Sequence, residues 1–214
     1  MKIGHALAGI LIGIVGCSQP DAPGGSSQQP AEPAKKPAVV DTDALLEQAQ
    51  AAFDAGKYDT SFEAWSRAAD AGSAKATYSV GRSYEYGQGT ESDLQQAFEW
   101  YRRAADMGNA DGMYQVAEFY VEGKGVAHSQ SEAFVWMKKA ADLKHPDALY
   151  MLGVMFVMGQ GTEIEREKGM DLVAEAAELG QPNAMKTMEL YQMLPIAVEE
   201  QQGTPPPADE NSSG

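Results

Sequence analysis

The pair Ala68-Ala69 returns as Ala104-Ala105, Ala140-Ala141 and Ala176-Ala177, each time 36 residues further on and without a gap. A fixed step of this size marks stacked supersecondary units, each too small to bury its own apolar face. Other positions keep the step. Phe62, Phe98, Phe134 and Met170 align, as do Trp100, Trp136 and Leu172. Tyr78, Tyr114 and Tyr150 share one register, and Tyr84, Tyr120 and Phe156 another. The pairs Gly87-x-Gly89, Gly123-x-Gly125 and Gly159-x-Gly161 punctuate every unit.

Within a unit the spacing predicts two helices. Thr77, Val80, Gly81 and Tyr84 follow the i, i+3, i+4, i+7 pattern of one buried helix face. Met113, Val116, Ala117 and Tyr120 repeat it, then Leu149, Leu152, Gly153 and Phe156. The second helix shows Phe98, Tyr101 and Ala105, then Phe134, Met137 and Ala141. Ser73, Asn109 and His145 stand at N-cap positions, and Pro146 and Pro182 at the first helical position, where a missing N–H costs nothing. Gly72, Gly108 and Gly180 stand where a helix ends in a left-handed residue, a place that Lys144 takes in the third unit. No strand-like alternation of useful length occurs. The expected fold is all-α, an α/α solenoid of stacked antiparallel helix pairs.

The pattern resembles the Sel-one-like repeat, a relative of the tetratricopeptide repeat. Ala148-Leu149-Tyr150-Met151-Leu152-Gly153 matches the first helix of that family's consensus, and Ala97-Phe98-Glu99-Trp100-Tyr101-Arg102-Arg103-Ala104-Ala105 matches the second. The resemblance implies a curved, right-handed superhelix with a concave face, and a role as adaptor or scaffold for other proteins. It divides residues 42–194 into a capping hairpin (42–72), repeats at 73–108, 109–144 and 145–180, and a closing helix at 181–194 that ends near Pro195.

The chain opens MKIGHALAGILIGIVGCSQP. Lys2 supplies a basic start, and the apolar run from Ala6 to Val15 is too short to span a bilayer, which takes about 20 apolar residues. Residues 1–16 are therefore expected to be a secretory signal. Ile14-Val15-Gly16-Cys17 resembles the lipobox of bacterial lipoproteins. That likeness implies a diacylglyceryl group on the Cys17 thiol, cleavage before it, and acylation of the new amine with palmitate or a similar chain. Several acyl chains anchor a protein stably, at about 0.8 kcal/mol per buried methylene. Ser18 in place of Asp resembles the signal for an outer-membrane destination, facing the periplasm. Residues 17–41 read as a Pro-, Ser- and Gln-rich tether, and 195–214 as a polar tail.

Thirty-one acidic residues face 16 basic ones, a formal charge of −15. That excludes broad nucleic-acid binding, which depends on Lys and Arg. The charge reads as a solubility device. Cys17 is the single cysteine, so no disulfide and no thiolate metal site can form within one chain. His5, His128 and His145 have no metal-ligand spacing. The Gly-x-Gly pairs lack a preceding strand and Gly123-Lys124-Gly125 lacks Walker spacing, so they read as turns that need positive φ. Arg67, Arg103 and Lys139 share one register. Arg67 has Glu63 and Asp70 at helical spacing, and Arg103 has Glu99 and Asp106, so the row reads as a self-neutralised face. No nucleophile motif occurs, and neither a cofactor nor a catalytic residue is expected. Some cysteine-rich relatives act on β-lactams, but this chain lacks their paired cysteines. An envelope enzyme or a binder of cell-wall glycan remains the alternative to a scaffold for envelope proteins.

Candidate binding residues are those of the first helices that lie opposite the consensus positions. The first unit offers Ser79, Arg82 and Tyr86, and the second Gln115, Glu118 and Glu122. The third turns apolar, with Met151, Val154 and Met158. Methionines suit adaptable partner binding. The same pattern also fits a patch covered by the closing helix through Leu190 and Leu194.

Overall fold

The computed structural model describes residues 41–193. These form α1 (Thr42–Asp54), α2 (Tyr58–Asp70), α3 (Ala74–Tyr86), α4 (Leu94–Asp106), α5 (Ala110–Glu122), α6 (Gln130–Asp142), α7 (Pro146–Met158), α8 (Arg166–Glu178) and α9 (Pro182–Met193). No strand occurs among the described residues. Each helix packs mainly on its neighbours in sequence, from α1 on α2 through to α8 on α9, which is the arrangement of a solenoid. The expected signal, Cys17, the tether up to residue 40, Leu194 and the tail lie outside the described residues, while Asp41, the last tether residue, caps α1 by accepting the Ala44 N–H.

The helix ends are set by local chemistry. The side chains of Ser73, Asn109 and His145 accept the backbone N–H groups of Ala76, Gly112 and Ala148, so the expected N-caps are formed. Gly72, Gly108 and Gly180 all have positive φ after the second helix of a pair. Lys144 adopts the same left-handed conformation at φ 61°, so the fold imposes it on the one unit without a glycine.

The Gly-x-Gly pairs are turns, and the two glycines do different work. Gly87, Gly123 and Gly159 end the first helix in the left-handed conformation. The second glycine of each pair also permits close approach. A Cβ on Gly89, Gly125 or Gly161 would collide with the backbone carbonyl of Tyr58, Leu94 or Gln130, at the start of the preceding unit's second helix. The turn is thus where one unit touches the next.

Two buried clusters form the core. One joins Leu45, Ala49, Trp65, Ala68, Ala76 and Val80, and the other runs from Ala97 on α4 to Ala184 on α9. Tyr84 packs against both. Between units, an aromatic ring of the second helix meets a ring of the following first helix edge to face. Phe62 meets Tyr84 at 5.6 Å, Phe98 meets Tyr120 at 5.4 Å, and Phe134 meets Phe156 at 5.3 Å. Such pairs are worth about 0.5–1.5 kcal/mol beyond the area they bury.

The self-neutralised basic row is corrected by the structure. Neither Arg67 nor Arg103 forms an ion pair among the described residues, and it is Arg102 that pairs with Asp106, at 3.4 Å. Arg103 instead lies over the Trp100 ring at 5.0 Å, and Lys139 over Trp136 at 3.6 Å. A ring three residues earlier offers the cation an apolar, electron-rich platform that does not require it to hold one carboxylate geometry.

Gly108 has open space around it, whereas Gly125 faces backbone. Gly108→Ala should therefore cost only the left-handed penalty, about 1–2 kcal/mol. Gly125→Ala should cost more, because the loop must also move away from α4. Urea unfolding of the two variants checks the order.

Candidate interaction face

The first helices α3, α5 and α7 each present one further stripe beyond the faces that pack. Arg82 and Tyr86 are exposed on α3, with the Arg82 guanidinium 6.0 Å from the Tyr86 ring. In the same register of α5 stand Glu118, half-buried, and Glu122, exposed. On α7 they become Val154, half-buried, and Met158, which is 62% exposed. Met151 is partly buried and rests against the core. Chemistry along this stripe therefore runs from cationic and aromatic, through acidic, to apolar.

The closing helix leaves much of the apolar end open. Met158 stays 62% exposed and Leu190 57%, so the described part of the closing helix does not bury Met158. Burial pushes the Glu118 carboxyl above its ordinary value, and the nearby Tyr114 hydroxyl offsets part of that effect. Desolvation likewise raises Tyr114.

Polar contacts tie successive first helices together at their N-termini. The Ala148 N–H donates to His145 Nδ1 at 3.2 Å, which leaves the proton on Nε2, facing Asp111 Oδ1 at 3.2 Å. The His145 ring also stacks on Tyr114, with centroids 5.0 Å apart. The hydrogen bond from His145 holds the Asp111 carboxyl below its ordinary value. One unit later Gln181 makes the same pair of contacts. It accepts from the Ala184 N–H at 2.5 Å and donates to Asp147 Oδ1 at 3.1 Å. Among the described residues no group of three or more His, Cys, Asp or Glu side chains could hold a metal ion, and no helix is long and apolar enough to cross a membrane.

The Sel1 repeat model matches three consecutive segments, residues 74–109, 110–145 and 146–181. This chain belongs to the Sel1 repeat family. Among solved structures it is similar to a Sel1 repeat protein from Oxalobacter formigenes, with 27% identity and a TM-score of 0.65 over 68% of this chain. A protective antigen of uropathogenic Escherichia coli strains displaying an SLR fold has 23% identity and a TM-score of 0.64 over 72% of the chain. An immunity protein of Pseudomonas aeruginosa has 24% identity and a TM-score of 0.54 over 76% of the chain and 61% of its own. The chain spans 60% of the length of the first of these and 34% of the second. Among curated proteins no significant match was found. Sel1 repeat proteins generally mediate protein–protein interaction.

Within the Sel1 frame, the residues that depart from the repeat are the informative ones. Glu85 occupies the register of Val121 and Val157, and Tyr101 that of Met137 and Val173. The Glu85 side chain is only 9% exposed, and the fully buried Tyr101 donates its hydroxyl to Glu85 Oε2 at 2.6 Å. Burial, then the carboxylate, push the Tyr101 hydroxyl far above its ordinary value. Lys124, from the following glycine turn, lies 3.9 Å from Glu85 and 2.5 Å from Glu122. No periodicity within a single helix points to this group. Its signal was a carboxylate and a hydroxyl in two registers that are otherwise apolar.

Two outcomes test the face. Met158→Asp should shift stability by less than about 0.5 kcal/mol, as an exposed substitution does. Met151→Asp should cost clearly more, because its side chain contacts the core; thermal melts of both variants separate the positions. Tyr101→Phe leaves Glu85 without its donor and should cost about 1–3 kcal/mol. Installing the residues of neighbouring units, Glu85→Val with Tyr101→Met, should recover most of that loss in the same melts.

Proposed function

We propose that this Sel1 repeat chain is a lipid-anchored scaffold of the bacterial cell envelope, held in the outer membrane by acyl chains on Cys17 and facing the periplasm. In this reading it captures protein partners on the stripe of its first helices. The single observation that carries the reading is the apolar end of that stripe. Met158 stays exposed and Val154 half-buried in registers that hold Glu122 and Glu118 one unit earlier, and Leu190, one unit after Val154, continues the apolar character in the open. Apolar side chains gathered beside acidic ones suit a protein surface better than they suit a nucleic acid or a charged glycan. Arg82 and Tyr86 extend the same stripe at its other end.

Anchoring is supported by Ile14-Val15-Gly16-Cys17 at the end of a short apolar leader, and by the polar stretch that follows, which would hold the repeats away from the lipid.

The experiment joins both halves of the proposal. Cys17→Ser should move the protein from the membrane fraction to the soluble fraction and abolish labelling by an alkyne-tagged palmitate. In cells, photo-crosslinking residues at positions 86 and 158 should give discrete protein adducts. The same group at Lys138, exposed on a second helix, should give none. Unchanged membrane retention of the Cys17 variant removes the anchor. Adducts absent from positions 86 and 158, or equal at Lys138, remove the binding stripe.

A further inference from the structure

Three of the four junctions between a second helix and the next first helix are closed by the same two rings. They are Phe62 with Tyr84, Phe98 with Tyr120, and Phe134 with Phe156. The fourth junction, between α8 and α9, has Met170 and Gln192 in those registers. Neither is aromatic, and Gln192 is exposed. Where the rings are missing there is a groove of about 490 Å³, lined by Val157, Met170, Ala174, Met188 and Tyr191, with Arg166, Glu167 and Asp171 at its edge.

The residues around the groove bear out the vacancy. Tyr191 is 59% exposed, whereas Met155 and Phe119 in its register are 2% and 1% exposed. The far side of α9 departs from the repeat as well. Glu189 stands in the register of Gly81, Ala117 and Gly153. At Gly81 a Cβ would already press on the Tyr101 ring, and at Gly153 on the backbone of Gly169. The exposed carboxylate of Glu189 thus replaces the small residue that elsewhere packs on the next helix. The groove itself, on the α8 side of α9, lacks the one ring that closes each other junction and so suits an inserted side chain.

We propose that the α8–α9 groove is a docking site for a partner segment that inserts an aromatic side chain next to a basic residue. The ring replaces the one that the repeat omits. It would lie between the thioethers of Met170 and Met188 and the ring of Tyr191, contacts that favour an aromatic guest. The basic neighbour meets the rim, where Glu167 and Asp171 outnumber Arg166. Residues 194–214 contain no Phe, Tyr or Trp, so that segment does not supply the ring. The site uses other residues than the first-helix stripe. Failure of the lipid anchor or of partner capture on that stripe leaves it untouched.

The test uses the purified full chain with isotope-labelled methionine methyl groups. The probes are two synthetic peptides, Gly-Lys-Trp-Lys-Gly and its counterpart with Ala in place of Trp. The Trp peptide should shift the Met170 and Met188 signals saturably, and the Ala peptide should not at the same concentration. Refilling the junction with Met170→Phe and Gln192→Tyr should raise the melting temperature and weaken binding by more than about tenfold, the scale of losing one anchor site. Asp171→Lys, an exposed change that leaves the core alone, should weaken the same peptide several-fold. The proposal is overturned by the absence of a saturable shift, as when residues 194–214 already fill the groove, or by equal shifts with both peptides. Undiminished binding after refilling or with Asp171→Lys also overturns it. Concentration-dependent dimerisation in sedimentation, lost on refilling, would give the groove to a second copy and overturn it too.

Discussion

Everything in this solenoid depends on how closely its units can approach. A helical hairpin of two 13-residue helices has too little apolar surface to stand alone, so each unit must borrow its neighbour's face. Two devices set that contact. The second glycine of each Gly-x-Gly turn lets the loop lie directly on the start of the previous second helix. Beside it, the edge-to-face ring pair fills the space between the two units. The first device removes atoms and the second supplies them. Together they fix the spacing between units, and the helices follow.

Departures from the repeat have consequences that depend on their depth. Glu85 and Tyr101 depart inside the stack, where an unpaired carboxylate would be costly, and they satisfy one another. Their registers elsewhere hold Val, Met and other apolar residues, so the pair specifies one junction rather than the fold. Asp111 and Asp147, one repeat apart at the surface, are each bound by the cap residue of the next first helix, His145 or Gln181. A side chain that caps its own helix and also reaches back to the previous one couples local helix formation to stacking. Met158 departs at the surface, 62% exposed with only the Gln160 amide 3.9 Å from its sulfur, which is what makes it a candidate for a partner.

Much of this was legible in the sequence because the repeat copies each physical requirement several times. Glycine at one place in one unit is ambiguous. Glycine at Gly89, Gly125 and Gly161 is a steric rule, and the caps at Ser73, Asn109 and His145 are equally plain. Orientation was less legible. Glu99 and Asp106 lie at helical spacing from Arg103, yet its guanidinium rests on Trp100, because spacing alone does not weigh a carboxylate against a ring. The Glu85–Tyr101 bond joins different helices 16 residues apart, and no periodicity within one helix reports it. For the Met-rich stripe the sequence allowed both a surface and a covered patch. The answer is divided, since Met151 leans on the core while Met158 does not.

The two ends of the stack are finished by different means, and the difference bears on function. At the first end, Phe53 of α1 lies 5.4 Å from both Tyr58 and Trp65 of α2, so the opening hairpin closes on itself with its own rings. At the last end, α9 has no following helix among the described residues, and Glu189 keeps the small position from serving as a packing surface. A cap needs only to solvate the end of the core, and charge at Glu189 and Lys186 does that. Exposed Leu190, Tyr191 and Met193 do the opposite. A helix that both repels further repeats and keeps apolar side chains in water serves stability poorly. It is better accounted for as a surface that meets something other than another unit of the same solenoid.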